Sequence, residues 1–240
     1  MKTYFHSFSN VTALFSQRGD DGFSNKNYYS CNLGLNTGDL RESVLRNRNE
    51  FLSNIDMNTD AAAFADQNHT DNIAVVNYPN IYPKCDALIT NRKNIPLLIQ
   101  VADCACVFLY DADKQAIGLV HSGWRGTQKR IVSKTVKQMQ HHFKSNPKDI
   151  QAIVSPCISG PNFEVGQDVY DQFPETYFEA RGNKKYSFDM KHCLFDELTE
   201  LGVKEINIDI DCTFNDSSNY FSYRRDREKS GRMMGCLMLK

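Results

Sequence analysis

Ile99-Gln-Val-Ala-Asp-Cys-Ala-Cys-Val-Phe-Leu-Tyr110, then Asp111-Ala-Asp-Lys114, then Ile117-Gly-Leu-Val-His-Ser-Gly-Trp-Arg-Gly126 is the stretch around which the chain is organised. Its two runs are rich in Val, Ile, Leu and aromatics and flank a short polar turn, which predicts two adjoining strands. The first run carries Cys104 and Cys106; the second holds His121, followed by the small Ser122 and Gly123. A thiol and an imidazole thus fall on neighbouring strand positions, beside a bend with little side-chain bulk. That pattern suits either a metal site or a cysteine–histidine catalytic pair. Alternation puts Cys106 on the same strand face as Cys104, so periodicity does not choose between the thiols.

Downstream, Ile131, Val132, Thr135, Val136, Met139 and Phe143 recur at helical period and predict a helix over residues 126–143. Trp124 and Arg125 precede it and bring its N-terminus close to His121, which favours an anionic substrate group. Residues 150–154 read as a strand, 155–161 as a stiff pocket wall, and 163–173 as helical or turn-like. Residues 177–188 hold extended pieces. Asp189 caps a helix whose face is Leu194, Leu198 and Leu201, with Gly202 closing it. Residues 206–210 alternate as a half-exposed strand.

Upstream, residues 1–15 contribute one or two strands. Asp39 with Glu42 resembles an N-terminal capping pair for a helix with Val44, Leu45, Phe51, Leu52 and Ile55 on its apolar face. Arg48 lies on that face. It is either a helix-edge residue or an anion ligand reaching into a pocket. Residues 61–65 read as a strand, and His69 sits in the polar loop behind it. A loop histidine of this kind matters only if Cys104 and His121 converge on it.

The 240 residues are enough for a substantial core, and no linker separates halves of contrasting composition, so a single domain over residues 1–240 is expected. Lys and Arg total 28 against 29 acidic residues, which gives no global drive toward nucleic acid or an anionic membrane. Apolar runs fall far short of spanning length and no signal-peptide core follows Met1, which predicts a cytoplasmic protein. In that compartment the eight cysteines are expected to be reduced thiols. The tail mixes aromatics with Arg224, Arg225, Arg227 and Arg232. Such a cluster can stack on RNA, organise carboxylates or bind phosphate.

Ala102-Asp103-Cys104, the block from Val120 to Thr127, Ser155-Pro156-Cys157-Ile158, Phe221-Ser-Tyr-Arg-Arg-Asp226 and Ser230-Gly231-Arg232 together resemble the successive signatures of one family. It is the bacterial laccase-domain, or multicopper polyphenol oxidoreductase-like, family, which also includes a human macrophage enzyme of purine metabolism. Asn47-Arg48 and Gln67-Asn68-His69 match in position, and order and spacing agree over nearly the whole chain. The resemblance implies an α/β fold, a mixed β-sheet core flanked by helices in a layered sandwich, related to cysteine-histidine deamidase toxins. It implies a zinc site at His69, Cys104 and His121. It also implies phosphorolysis of adenosine, inosine, guanosine and methylthioadenosine, with deamination of adenosine. Some members are linked instead to editing of peptidoglycan precursors, an amidase-like role. Thr70 replaces a family glycine, Cys104-Ala105-Cys106 replaces Cys-x-Pro, and Ser155 replaces another glycine; none of these removes an expected ligand.

Two imidazoles and a thiolate are a familiar zinc set with an open fourth position. Dense His-Cys-His copper clusters and a blue-copper ligand set are missing from the sequence, which speaks against copper-dependent phenol oxidation; zinc, with copper second, is the metal the resemblance implies. Asp103 and Asp86 are the candidates for acid–base work, with orienting a ligand or capping a turn as the alternative for Asp103. Arg48 leads the phosphate candidates, followed by Arg125, Arg224 and Arg225, and Trp124 is either a stacking surface for the base or buried beneath the helix. The expected partners are purine nucleosides and inorganic phosphate, with no membrane and no nucleic acid; monomer and homodimer both remain open. Two rival readings use the same residues. In one, Cys104 activated by His121 attacks an amide; in the other, the protein binds metal or RNA without turnover.

Overall fold

The structure, a computed structural model, describes residues 1–6 and 8–240. Its strands are, in chain order, β1 (Lys2–Tyr4), β2 (Val11–Phe15), β3 (Ala63–Ala65), β4 (Ile73–Val75), β5 (Asn80–Tyr82), β6 (Ala87–Thr90), β7 (Leu97–Val101) and β8 (Ala105–Asp111). There follow β9 (Ala116–Ser122), β10 (Ile150–Val154), β11 (Glu164–Gly166), β12 (Phe178–Gly182), β13 (Lys185–Phe188), β14 (Glu205–Ile208) and β15 (Met233–Leu239). The α-helices are α1 (Arg41–Ser53), α2 (Trp124–Gln128), α3 (Ile131–Phe143), α4 (Gln167–Tyr170), α5 (Met190–Glu200) and α6 (Tyr223–Asp226). None of the helices among the described residues is long and apolar enough to cross a membrane.

Two mixed six-stranded sheets carry the fold, one in the order β1-β2-β15-β7-β3-β5 and the other β14-β10-β8-β9-β6-β4; β11-β13-β12 form a small third sheet. The first two pack face to face. Phe15, Leu97, Ile99, Met233 and Leu237 from one sheet meet Leu88, Cys106, Phe108, Ile117 and Leu119 from the other in a single buried cluster. The outer face of the first sheet is covered by Phe51 and Leu52 of α1, which lie against Leu14, Leu98 and Met234. The outer face of the second is covered by Ile131, Val136 and Met139 of α3 and Leu194 and Leu198 of α5. The result is a mixed α/β fold in four layers: helix, sheet, sheet, helix.

The hairpin β8–β9 is buried along its whole length on both faces, which is why its sequence runs apolar without clean alternation. Its register pairs Cys106 with His121 and Ala105 with Ser122. The far ends of the two strands, where Cys104 and Gly123 follow on, therefore open at one edge of the inter-sheet core.

Several local expectations need correcting. The helix expected over residues 126–143 begins at Trp124 and is broken at Arg130, whose backbone is left-handed (φ 58°), so α2 and α3 are separate. Asp39 does not cap α1: Leu40 occupies the N-cap, while the Asp39 carboxylate accepts from the Leu40 amide and from Asn32 Nδ2. Leu45 is exposed, so the buried stripe of α1 is Val44, Phe51 and Leu52. Residues 163–173 divide into strand β11 and the short α4. Asp189 does cap α5, accepting from the His192 amide at 3.1 Å, and Gly202 (φ 86°) ends that helix.

The inter-sheet core is tightest at Gly235 of β15, where an added Cβ would sit 2.4 Å from Cys106 Sγ and 3.1 Å from Phe108. Overpacking a filled core costs about 1–3 kcal/mol. Gly235→Ala is therefore expected to lower the thermal midpoint, and adding Cys106→Ala, which removes that sulfur, to recover most of the loss. Thermal unfolding of the two single variants and the double variant checks it.

Candidate metal centre and active-site cavity

Asp86, immediately before β6, is fully buried and fixes two histidines at once. Its Oδ1 lies 2.7 Å from His121 Nδ1 and accepts from the His69 amide at 3.1 Å. Its Oδ2 accepts from the Thr70 amide at 2.6 Å and the Thr70 hydroxyl at 2.8 Å. An ionised carboxylate can only accept, so His121 Nδ1 is the protonated nitrogen and Nε2 is the one presented to the site. Burial pushes the Asp86 carboxyl up, but the His121 imidazole and the two Thr70 donors outweigh it and hold it at about 2. With its oxygens taken, Asp86 orients the histidines.

His69 follows β3 in a loop and itself takes a left-handed backbone (φ 56°), a conformation the four donors on Asp86 from residues 68–70 stabilise. Its ring stands edge-to-face to that of His121, with centroids 4.9 Å apart. Cys104 is delivered by a second left-handed residue, Asp103 (φ 79°). Asp103 Oδ1 accepts from the Thr213 hydroxyl at 2.7 Å, and its Oδ2 accepts from the Arg224 amide at 2.6 Å. Asp103 is thus a tie between the Cys104 turn and the C-terminal segment, with both oxygens engaged. Gly123 completes the arrangement. A Cβ there would lie 2.7 Å from Cys104 Sγ and 3.6 Å from the His69 ring, so a side chain would intrude on the space between the donors.

The candidate donor atoms of His69, Cys104 and His121 lie within 4.8 Å of one another. Two imidazole nitrogens, one thiolate sulfur and a carboxylate behind one imidazole fit zinc, whose three-ligand sites leave a fourth position open. Cys106, the cross-strand partner of His121, is sealed in the core, and burial drives its thiol well above the usual range. Periodicity could not separate the two thiols; access does.

Without a metal between them, the charges of these residues favour one another. Burial raises the Cys104 thiol, but the His121 charge and hydrogen bonds from His121 and His69 outweigh it and bring it below the usual thiol range. Burial lowers His121, and the Cys104 thiolate and Asp86 reverse this and lift it above the usual imidazole range.

The cluster opens into a cavity of about 610 Å³. Trp124, Arg125 and Arg224 line it, as the sequence suggested, and so do Asp103, His69, Cys104 and His121. Arg125 lies over the Trp124 ring at 4.3 Å, so one indole face is already covered. Arg48 and Arg225 are not among the lining residues. Arg48 is buried on the far side of the first sheet, where its Nε donates to the Leu33 carbonyl and its guanidinium sits over Phe64. Arg225 is turned into the protein, donating to the carbonyls of Thr213, Phe214 and Tyr220 and to Asp226. Sequence reasoning did not place Phe163, Tyr223, Arg227 and Arg232 in the site, yet all four line the cavity. The last three belong to the Arg-rich tail, whose sequence signal is composition without direction.

Titration of the metal-free protein followed at 240 nm, where thiolate absorbs, is expected to show a Cys104 transition below the free-thiol range that Cys104→Ser abolishes. Because the imidazolium is what stabilises the thiolate, His121→Gln is expected to move that transition upward by about one pH unit or more. In linkage terms, the depressed thiol supplies stability that is complete above the free-thiol range and lost as pH falls through its folded value. The raised imidazole supplies stability that is complete below the free-imidazole range and lost as pH rises through its folded value.

Residues 12–240 match the family described as Multi-copper polyphenol oxidoreductase laccase. The chain is 33% identical over 250 residues to the purine nucleoside phosphorylase YlmD of Bacillus subtilis, covering 96% of this chain and 89% of that relative. It is 32% identical to a purine nucleoside phosphorylase of Corynebacterium glutamicum, covering 95% and 94%. Among solved structures, the hypothetical protein YfiH of Bacillus licheniformis superposes with a TM-score of 0.91 at 30% identity over 96% of this chain and 93% of that one. YlmD of Geobacillus stearothermophilus superposes at 0.92 with 25% identity, over 98% and 94%. On sequence and fold alike, the chain belongs to the multi-copper polyphenol oxidoreductase laccase family.

Proposed function

We propose that residues 1–240 act as a single-domain, cytoplasmic, zinc-associated purine nucleoside phosphorylase that takes adenosine, inosine, guanosine and methylthioadenosine, with adenosine deaminase activity. The observation that carries this reading is the convergence of His69, Cys104 and His121 on a cavity that combines aromatic surface with arginines. The names of the two bacterial relatives point the same way. When bound, zinc would supply a Lewis acid with an open position that makes water nucleophilic near neutral pH.

The chain's own residues account for the rest. His69, Cys104 and His121 hold the metal, and Asp86 keeps His121 in the tautomer that presents Nε2. Trp124 and Phe163 line the cavity and give it aromatic surface for a purine, each ring with an arginine beside it. Arg125 and Arg224 supply positive charge for phosphate. In phosphorolysis a hydrogen-phosphate oxygen forms the new bond to C1′ and the C1′–N9 bond breaks. Its electron pair leaves on the purine, and the phosphate proton ends on the base. Holding phosphate and nucleoside in one pocket is the main rate contribution available to such a site. In deamination, water replaces the C6 amino group and ammonia leaves.

The thiolate–imidazolium pair favours one second reading, amide hydrolysis on a fold related to the cysteine-histidine deamidases. There Cys104 Sγ would form a thioester as the C–N bond breaks, with His121 giving its proton to the departing amine and water then releasing the acid. A thioester trapped on zinc-free protein is the mark of that reading.

With an adenosine or inosine substrate, free purine is expected only when phosphate is present, measured by chromatography of the products. Cys104→Ser and His121→Gln are expected to lose both bound zinc and turnover. Asp86→Asn, which disturbs the orientation of the histidines, is expected to weaken metal affinity about 10–100-fold, read by competition with a zinc chelator. Phosphate-independent purine release, or turnover at the wild-type rate in zinc-free Cys104→Ser, would overturn the reading.

A further inference from the structure

Four arginines, Arg125, Arg224, Arg227 and Arg232, line the cavity. Among the described residues the arginine ion pairs are those of Arg130 with Glu200 and Arg225 with Asp226, so none of the four is neutralised by a carboxylate. Three of them come from one short segment. The Ser222 hydroxyl accepts from the Arg225 amide and starts α6, and Arg225 then spends its whole guanidinium inward, on three carbonyls and Asp226. Arg225 is the staple that holds the segment down.

Its neighbours are left with donors to spare. A guanidinium has five N–H donors. Arg224 uses Nη1 on the Glu164 carbonyl while its group lies over the Phe163 ring. Arg232 uses Nη1 on the carbonyls of Ser230 and Gly231, leaving Nε and Nη2, and lies over the Tyr223 ring. Among the described residues Arg227 has no side-chain hydrogen-bond partner, and it takes a left-handed backbone (φ 52°), a conformation a non-glycine residue adopts at a cost.

Arg224 and Arg227 are close enough for their charges to act on one another. Arg224 is lowered by burial and then by the charge of Arg227. Burial holds the Arg232 guanidinium below its ordinary range, against the opposing pull of Cys104, Tyr223, Asp103 and Glu228, and Arg232 lines the same cavity as the His–Cys–His cluster. Like charges with open donors, two of them partly buried (Arg224 and Arg232), are unfavourable by themselves and become favourable around an anion carrying several acceptor oxygens.

We propose that Arg224, Arg227 and Arg232 form the seat for a phosphate dianion, either inorganic phosphate or the phosphoryl group of a phosphorylated nucleoside. This rests on the phosphorylase reading and deepens it: of the two arginines named there, Arg224 joins the seat on the C-terminal segment, and Arg125, which lies over Trp124, adds its charge to the cavity from outside that seat. The site as a whole then has three parts: an aromatic wall for the base, the His–Cys–His cluster, and a basic tail for the anion.

The test is isothermal titration of zinc-loaded protein with inorganic phosphate, adenosine and adenosine 5′-monophosphate in turn. Arg227→Gln and Arg232→Gln are compared with wild type, and thermal midpoints serve as the folding control. Arg227 is exposed and makes no side-chain hydrogen bond among the described residues, so its replacement leaves the fold intact. Phosphate binding is expected to weaken about tenfold or more in each variant while adenosine binding is unchanged. Arg232→Lys, which keeps the charge and loses the fork, is expected to recover only part of the loss. Adenosine 5′-monophosphate binding no more tightly than adenosine identifies free phosphate as the occupant. Tighter binding that both variants abolish identifies a phosphorylated nucleoside. Wild-type phosphate affinity in both variants, or an equal loss for adenosine, overturns the proposal. Arginine-dependent phosphate binding without phosphorolysis would keep the seat and dismiss the phosphorylase reading. Phosphorolysis with an unchanged KM for phosphate in both variants would do the reverse.

Discussion

The site depends on one buried carboxylate. Asp86 receives the amides of the His69 loop on one side and the His121 ring on the other. A charge placed there without partners would be expensive. It is offset by donors that are also the parts needing to be positioned. The same hydrogen bonds that make Asp86 tolerable in the interior therefore set the separation of the two imidazoles. Asp103 does a similar task for the thiol, converting a strained turn before β8 into a joint with the C-terminal segment.

The two-sheet core explains why these joints can be so exact in placement. Cys104 and Gly123 lie just beyond the ends of β8 and β9, strands covered by a second sheet on one face and by α3 and α5 on the other. Close packing on both sides leaves the hairpin no freedom to shift register. Metal-site geometry is in this sense inherited from packing: Gly235 admits Cys106, Cys106 sits opposite His121, and His121 points to the mouth of the core.

Much of this was legible in the sequence, and the limits have physical reasons. The β8–β9 hairpin, the Asp189 cap and the apolar face of α3 show themselves because periodicity and capping are local effects. The break at Arg130 was invisible because the apolar period starts only at Ile131 and Lys129-Arg130 are ordinary helix formers; only the backbone reveals a left-handed residue. The His69–Cys104–His121 set was readable through motif order, whereas the parts played by Asp86 and Asp103 required knowing which donors face them. Arg48 was misplaced for a related reason. An arginine on an apolar stripe must find acceptors, and spacing along α1 does not say whether these lie in a cavity or, as here, at the Leu33 carbonyl behind a sheet.

The three donors differ in mechanical backing. Cys104 and His121 are anchored next to the most deeply covered strands of the fold, while His69 is exposed and rides on a loop held mainly by one carboxylate. Local opening is easiest where few apolar contacts oppose it. An ion entering or leaving this centre would thus find its doorway on the His69 side, with the thiol and the second imidazole standing as a fixed jamb.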